Sequence, residues 1–189
     1  MYIISGEKKG RQLFGPGPEE IRPIRHLVRK AIFDLLRQVI DGAEFLDLFA
    51  GTGSVGLEAL SQGAESCFFV DRLPKAIELI SKNVEELNYT DRTRIYQSDV
   101  GEALDRFDSL AHRFDIVFVG PPYNTGLAEQ TLTQLDALSV VNPGGIIAVE
   151  VFLKENLKDG FTNLQQIKVK EYGQTKLMIY RKLVHNSPD

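Results

Sequence analysis

Little in this chain invites a disulfide, a metal or a membrane. Cys67 is the one cysteine among 189 residues, so no disulfide framework can staple the fold. It stands in the apolar run Cys67-Phe68-Phe69-Val70, where a buried strand thiol is favoured over a nucleophile or a metal ligand. Three histidines, His26, His112 and His185, show no metal-ligand spacing and no partner pattern. All three read as surface residues, and no metal is expected. No apolar run reaches the roughly 20 residues needed to cross a bilayer. Met1 to Gly10 holds no apolar segment of the signal-peptide type. Internal repeats and low-complexity segments are missing too. A cytoplasmic protein without membrane contact is expected.

What is present suffices for one sizeable core, with 43% hydrophobic residues in a chain of this length. The net charge of −4 is unevenly spread. Residues 1–30 carry seven Lys or Arg against three Glu, giving +4, and residues 154–182 carry seven against three acids, again +4. Residues 31–153 carry eight basic against nineteen acidic side chains, giving −11. An acidic body with basic ends places any polyanion at the ends, although two solvated charged segments produce the same count.

The chain is organised around Glu44-Phe45-Leu46-Asp47-Leu48-Phe49-Ala50-Gly51-Thr52-Gly53-Ser54-Val55-Gly56. Phe45 to Ala50 is apolar except for Asp47, as expected of a strand covered on both faces. Gly51 and Gly53 allow a tight turn and close approach of a ligand to the backbone. Ser54 reads as the N-cap of a helix through Leu57 to Leu60, and a helix start favours an anionic or carboxylate-bearing ligand. Gly51-x-Gly53-x-x-Gly56 equally fits the dinucleotide fingerprint, with Asp71 where a ribose-binding acid belongs. The glycine turn alone does not choose the nucleotide.

Ahead of it, Tyr2 to Ile4 and Arg11 to Phe14 pattern as a short hairpin turning at Glu7 to Gly10, and Gly15-Pro16-Gly17-Pro18 as a loop. A helix is predicted from Arg22, with Pro23 in its first turn, an apolar stripe of Leu27, Val28, Ala31, Ile32, Leu35 and Leu36, and Arg25, Arg29 and Arg37 pointing away from it. After the turn, strands at 66–70, 93–97, 114–119 and 146–151 alternate with helices at 74–87, 102–110 and 127–138. That rhythm predicts a parallel, doubly wound sheet. Gln166 to Glu171 and Lys176 to Arg181 then form a hairpin that closes the sheet antiparallel, and Val184 to Asp189 is a tail.

In such sheets ligands sit beyond the carboxyl ends of the strands. There this chain carries Asp47 with the glycine turn, Asp71, Asp99, and Gly120-Pro121-Pro122-Tyr123. Asp47 can neutralise an ammonium or order the turn. A carboxylate at Asp71 can accept both hydroxyls of a ribose, and Asp99 the exocyclic amine of an adenine.

Asp47-x-Phe49-x-Gly51-x-Gly53 with Pro121-Pro122-Tyr123 resembles S-adenosylmethionine-dependent, Rossmann-like (class I) methyltransferases that act on exocyclic amines. Lys9-Gly10-Arg11, Arg22-Pro23, Val28-Arg29-x-Ala31-x-Phe33, Leu57-Glu58-Ala59-Leu60 and Tyr172-Gly173-x-Thr175 extend the likeness over nearly the whole chain. Together they resemble the bacterial 16S ribosomal RNA guanine-N2 methyltransferase D family. The resemblance implies the class I methyltransferase fold, with a basic RNA-contacting arm (1–30), a catalytic domain (31–183) and the tail. It implies methyl transfer from S-adenosylmethionine to the N2 amine of one 16S rRNA guanine, position 966, in an assembling small subunit. A monomer is expected. The resemblance also assigns Asp47, Phe49, Gly51, Gly53, Asp71 and Asp99 to the cofactor and residues 120–123 to the amine, while the basic arm on an acidic body assigns Lys8, Lys9, Arg11, Arg22, Arg25 and Arg29 to RNA phosphates.

Two departures stand out. Gly120 replaces the Asp (Asn in related enzymes) that precedes Pro-Pro-Tyr, and Ile24 and His26 replace a Thr and an acid after Arg-Pro. The glycine leaves the target amine one acceptor short, so slow methylation with intact cofactor binding is expected. Adenine N6 in DNA or RNA is an alternative target, and a catalytically weakened RNA- and cofactor-binding protein an alternative function.

Overall fold

Helix α1 (His26–Leu36) leads into four β/α repeats and a fifth strand: β1 (Glu44–Leu48), α2 (Ser54–Ser61), β2 (Ser66–Asp71), α3 (Pro74–Leu87), β3 (Thr93–Gln97), α4 (Val100–Ser109), β4 (Phe114–Val119), α5 (Leu127–Ala137) and β5 (Val141–Phe152). A hairpin of β6 (Leu164–Tyr172) and β7 (Thr175–Lys182) follows. The computed structural model describes residues 1–15, 26–158 and 160–184. The loop at 16–18, the helix start at Arg22-Pro23, and residues 185–189 of the tail, His185 among them, lie outside the described residues.

The strands form one sheet in the order β3-β2-β1-β4-β5-β7-β6. Strands β1 to β5 run parallel, and β7 inserts antiparallel between β5 and β6. β1 pairs with both β2 and β4, so the chain reverses its winding direction beside Asp47. An open α/β sheet parts its loops at such a switch point, which leaves room for a ligand.

Two apolar clusters cover the sheet. Residues of α1, α2 and α3, with Ile3 and Leu13, pack on one face against Phe45, Phe69, Phe118 and Ile179. Residues of α4 and α5 pack on the other against Leu46, Val70, Val117 and Val149. Alternation of side chains along a strand explains why Leu46 and Asp47 face opposite layers. Cys67 is fully buried among the first cluster, as its apolar run predicts.

Local chemistry sets the helix ends. Pro74 opens α3 at a position where its missing N–H is no loss, and Asn88 ends it at φ 58°. The Asp99 carboxylate accepts the Gly101 N–H at 2.8 Å and caps α4. Ser54 is not a cap: Gly53 holds that position at φ 74° with no side-chain bond, and Ser54 is already helical. His112 differs from expectation as well. It is half-buried, with its ring 5.4 Å from that of Phe68 and close to Phe107 and Phe114.

The N-terminal segment folds back as a hairpin, with Tyr2 bridging Gln12 and the Gly10 N–H bonding the Ile3 carbonyl at 2.9 Å. Residue 30 falls within α1, and the hairpin's Ile3 and Leu13 are part of the central core.

Candidate active site

The turn after β1 carries two unusual backbone angles before any ligand is considered. Phe49 sits at φ 59° and Gly51 at φ 57°. For a residue with a Cβ this left-handed conformation costs on the order of 1–3 kcal/mol, a strain typically found where backbone shape serves a ligand. Asp71 stabilises the turn from the next strand, its Oδ2 accepting the Gly51 N–H at 2.8 Å and its Oδ1 the Leu73 N–H at 2.9 Å. At Gly56 closeness is the requirement, since a Cβ there would lie 2.3 Å from the Phe69 ring and 2.5 Å from the Cys67 sulfur. Glycine therefore lets α2 press against β2.

Asp47 lies beneath this turn, 1% exposed. Its Oδ2 accepts the Gly56 N–H at 2.8 Å and fixes the start of α2. Its Oδ1 is buried without a hydrogen-bond partner among the described residues. Burial pushes the carboxyl well above the ordinary aspartate range, the Gly56 bond opposes this, and the charge of Asp71 adds to it. A buried carboxylate oxygen with an unused acceptor site suits a cationic or N–H-bearing ligand.

These groups share one cavity of about 300 Å³ at the carboxyl ends of the strands. Its wall contains Asp47, Phe49, Gly51, Asp71, Asp99 and residues 120–123. Every cofactor and amine residue expected from the sequence thus converges there, except that Gly53 stands behind the wall as the cap of α2. The volume lies at the lower end of the range for small-molecule sites, about 300–1,000 Å³. With three aspartates, a strained turn and an open acceptor oxygen, the donor set fits a nucleoside carrying an amino-acid ammonium.

On the β4 side the Tyr123 hydroxyl donates to Glu150 Oε1 at 2.6 Å and lies 2.8 Å from the Thr175 hydroxyl. Glu150 lines the same cavity and is 9% exposed. Sequence reasoning passed over it. The available signal was an acid following the apolar run Ile146 to Val149, close to the carboxyl end of a strand as Asp71 is. Gly120 lines the cavity without a side chain, and the edge of the Phe118 ring fills its place, 2.7 Å from where a Cβ would stand.

The expected RNA contacts divide. Arg22 and Arg25 lie outside the described residues. Arg29 is 2% exposed, which contradicts its reading as a phosphate contact. Its guanidinium donates to the carbonyls of Tyr2 and Ser54 and stands 3.8 Å from the Glu58 carboxylate. Burial lowers the guanidinium pKa, and Glu58 opposes that shift. Glu58 in turn accepts the backbone N–H groups of Ile4 and Ser5, each at 2.8 Å. The helical period around Arg29 looked solvent-directed because the docked hairpin, which supplies its partners, is invisible to a pattern read within one helix.

Lys8, Lys9 and Arg11 ride on the hairpin turn. The Lys8 N–H bonds Ser61 Oγ, and Arg11 pairs with Glu86 at 2.7 Å. Ser54 at the start of α2 lines the cavity and Ser61 ends that helix, so the turn lies about 12 Å, one helix length, from the cavity. Among the described residues no helix is long and apolar enough to cross a membrane.

A parallel β/α sheet closed by an antiparallel hairpin, with its cavity at the switch point beside a glycine turn, is the Rossmann-like fold of class I methyltransferases. The chain belongs to the family of the ribosomal RNA small subunit methyltransferase D proteins, and the family model described as "Conserved hypothetical protein 95" matches residues 1–181. The Bacillus subtilis protein "Putative rRNA methyltransferase YlbH" is 35% identical to it over 96% of this chain and 99% of its own. "Ribosomal RNA small subunit methyltransferase D" of Escherichia coli is 30% identical over 99% of this chain and 92% of its own. The solved Escherichia coli structure "Putative methyltransferase yhhF" superposes with a TM-score of 0.85 at 30% identity, covering 98% of this chain and 99% of that one.

Proposed function

We propose that the protein methylates the exocyclic N2 amine of a guanine in small-subunit ribosomal RNA, using S-adenosylmethionine. The observation that carries this reading is the single cavity that joins the three strand-end aspartates to Pro121-Pro122-Tyr123, in a chain whose relatives are named for rRNA methylation.

When bound, S-adenosylmethionine supplies an electrophilic methyl group on a sulfonium. Asp71 would receive the ribose hydroxyls, Asp99 the adenine amine and Asp47 Oδ1 the ammonium, while Gly51 lets the backbone come close. The guanine amine shares its lone pair with the ring and must become more tetrahedral to attack. Acceptors aimed at its two N–H bonds favour that geometry and the positive charge that develops. The Pro121 carbonyl is assigned as one acceptor, and the Tyr123 ring as a platform for the base. Holding the amine in line supplies much of the remaining acceleration. Lys8, Lys9, Arg11, Arg22 and Arg25 are assigned to RNA phosphates.

Gly120 favours a second reading, a protein that binds RNA and cofactor but turns over slowly. One experiment separates the two: mass spectrometry of 16S rRNA nucleosides with and without the gene, followed by methylation of the deficient particles by purified protein. Restored N2-methylguanosine supports the enzyme, N6-methyladenosine redirects it to adenine, and unchanged nucleosides favour the binding role.

A further inference from the structure

We infer that Glu150 is the second acceptor for the target amine and supplies from β5 the carboxylate that Gly120 cannot supply from β4. The inference rests on the amine-methylating function proposed above. In the parallel β4–β5 ladder Phe118 pairs with Ala148 and Val119 with Val149. Continued one step past the paired residues, that register would bring Gly120 level with Glu150, and both line the cavity. Residues paired across parallel strands project from the same face, so Glu150 rises beside the position that a residue-120 side chain would use. That position is closed to its own strand, because the Phe118 ring edge fills it.

The cavity's acids are divided in space. Asp47 lies near the end of β1, Asp71 ends β2 and Asp99 follows β3, and all three accept backbone N–H groups around the glycine turn and the adjoining helix starts. Glu150 stands across the switch point with Pro121, Pro122 and Tyr123. The Tyr123 hydroxyl donates to one carboxylate oxygen of Glu150 at 2.6 Å. That bond also orients the carboxylate, which stands in a largely buried wall where its interaction with a partly positive amine is little screened. During transfer the amine nitrogen forms the new N–C bond. The C–S bond breaks with its electrons on sulfur, and the nitrogen loses one proton to solvent. Glu150 holds the N–H and its growing charge, and no carbon–oxygen bond forms.

The test uses the full-length protein and small-subunit particles that lack the modification. Glu150→Gln keeps an oxygen for the Tyr123 hydroxyl but removes the charge. Single-turnover methylation should fall about 10²-fold, in line with loss of one preorganised active-site group. The cofactor Kd from calorimetry should stay within about twofold, and Glu150→Asp should recover part of the rate. Tyr123→Phe, which leaves the carboxylate in place, should lose less than Glu150→Gln. An active parent with Glu150→Gln within threefold of it overturns the role of Glu150 and leaves the proposed function standing. A parent that forms no methylated nucleoside overturns both. Methylation of adenine instead changes the base, and the same rate ratio still decides on Glu150. If Glu150→Gln melts far below the parent, the Glu150→Asp rate decides alone, and a value near that of the parent supports a charged acceptor.

Discussion

The hydroxyl groups of Tyr123 and Thr175 lie 2.8 Å apart and tie the loop after β4 to the first residue of β7. Two sequence motifs, Pro-Pro-Tyr and Tyr-Gly-x-Thr, are therefore two ends of one contact between residues 52 positions apart. Thr175 is fully buried, so Thr175→Val keeps the volume and leaves the Tyr123 hydroxyl with one partner fewer. Stability should fall by about 0.5–1.5 kcal/mol, the usual net worth of one hydrogen bond. Methylation should slow while cofactor affinity stays the same. Urea unfolding, calorimetry and single-turnover rates check the three parts. Equal rates in variant and parent would show that the ring does not depend on this anchor.

Asp71 joins the turn to the cofactor. Asp71→Ala removes the acceptor for the Gly51 and Leu73 N–H groups as well as the proposed ribose contact. S-adenosylmethionine binding should weaken by about 1–3 kcal/mol, roughly 5- to 150-fold in Kd. Calorimetry on parent and variant measures it. A parent that binds NAD in preference would reject the cofactor assignment.

Asp47 gives a pH signature. Its carboxyl is held above its ordinary value by burial, so the folded state binds that proton more tightly than the unfolded state. Stability from this group is present below the unfolded pKa, about 4, and is lost as pH climbs through the folded value. Asp47→Asn preserves an acceptor for the Gly56 N–H and removes the loss. In cofactor-free protein its melting temperature should exceed that of the parent at pH 7, by about 2–4 °C per kcal/mol recovered, and the gain should shrink towards pH 4. Cofactor affinity should fall in the same variant. Parallel melting curves for the two proteins across this range would contradict a carboxyl raised by burial at Asp47.

The hairpin and the RNA surface should separate by mutation. Glu58→Ala strands the Arg29 guanidinium and two backbone N–H groups, so a loss of about 3–5 kcal/mol is expected, as for other broken buried pairs. Replacing Lys8, Lys9 and Arg11 together should leave stability within about 1 kcal/mol, since their contacts are exposed or half-exposed. RNA affinity should drop and its salt dependence flatten by about one unit of slope per lost phosphate contact. An unchanged slope in the triple variant would place the RNA elsewhere, with the other basic segment, including the exposed Lys168 and Lys170 of β6, as the next candidate.

Hydrophobic period and glycine placement were enough to read the β/α alternation, because both are local properties of the chain. Thr93–Gln97 and Phe114–Val119 are strands with the bounds that the pattern suggested. The clustering of Asp47, Asp71, Asp99 and Tyr123 could also be anticipated, since parallel strands bring all their carboxyl ends to one edge. Arg29 could not be read correctly. Its partners, the Tyr2 carbonyl and Glu58, come from segments 27 residues before it and 29 after it, and only docking of the hairpin decides that this cation is inside. Glu150 is the converse case. An acid near the end of the fifth strand is unremarkable in sequence, and it gains meaning because one cavity brings it together with a glycine that has no side chain. Sequence patterns report which face of its own element a residue takes. The tertiary structure alone decides what stands across from it, because that depends on registers and packing between segments far apart in the chain.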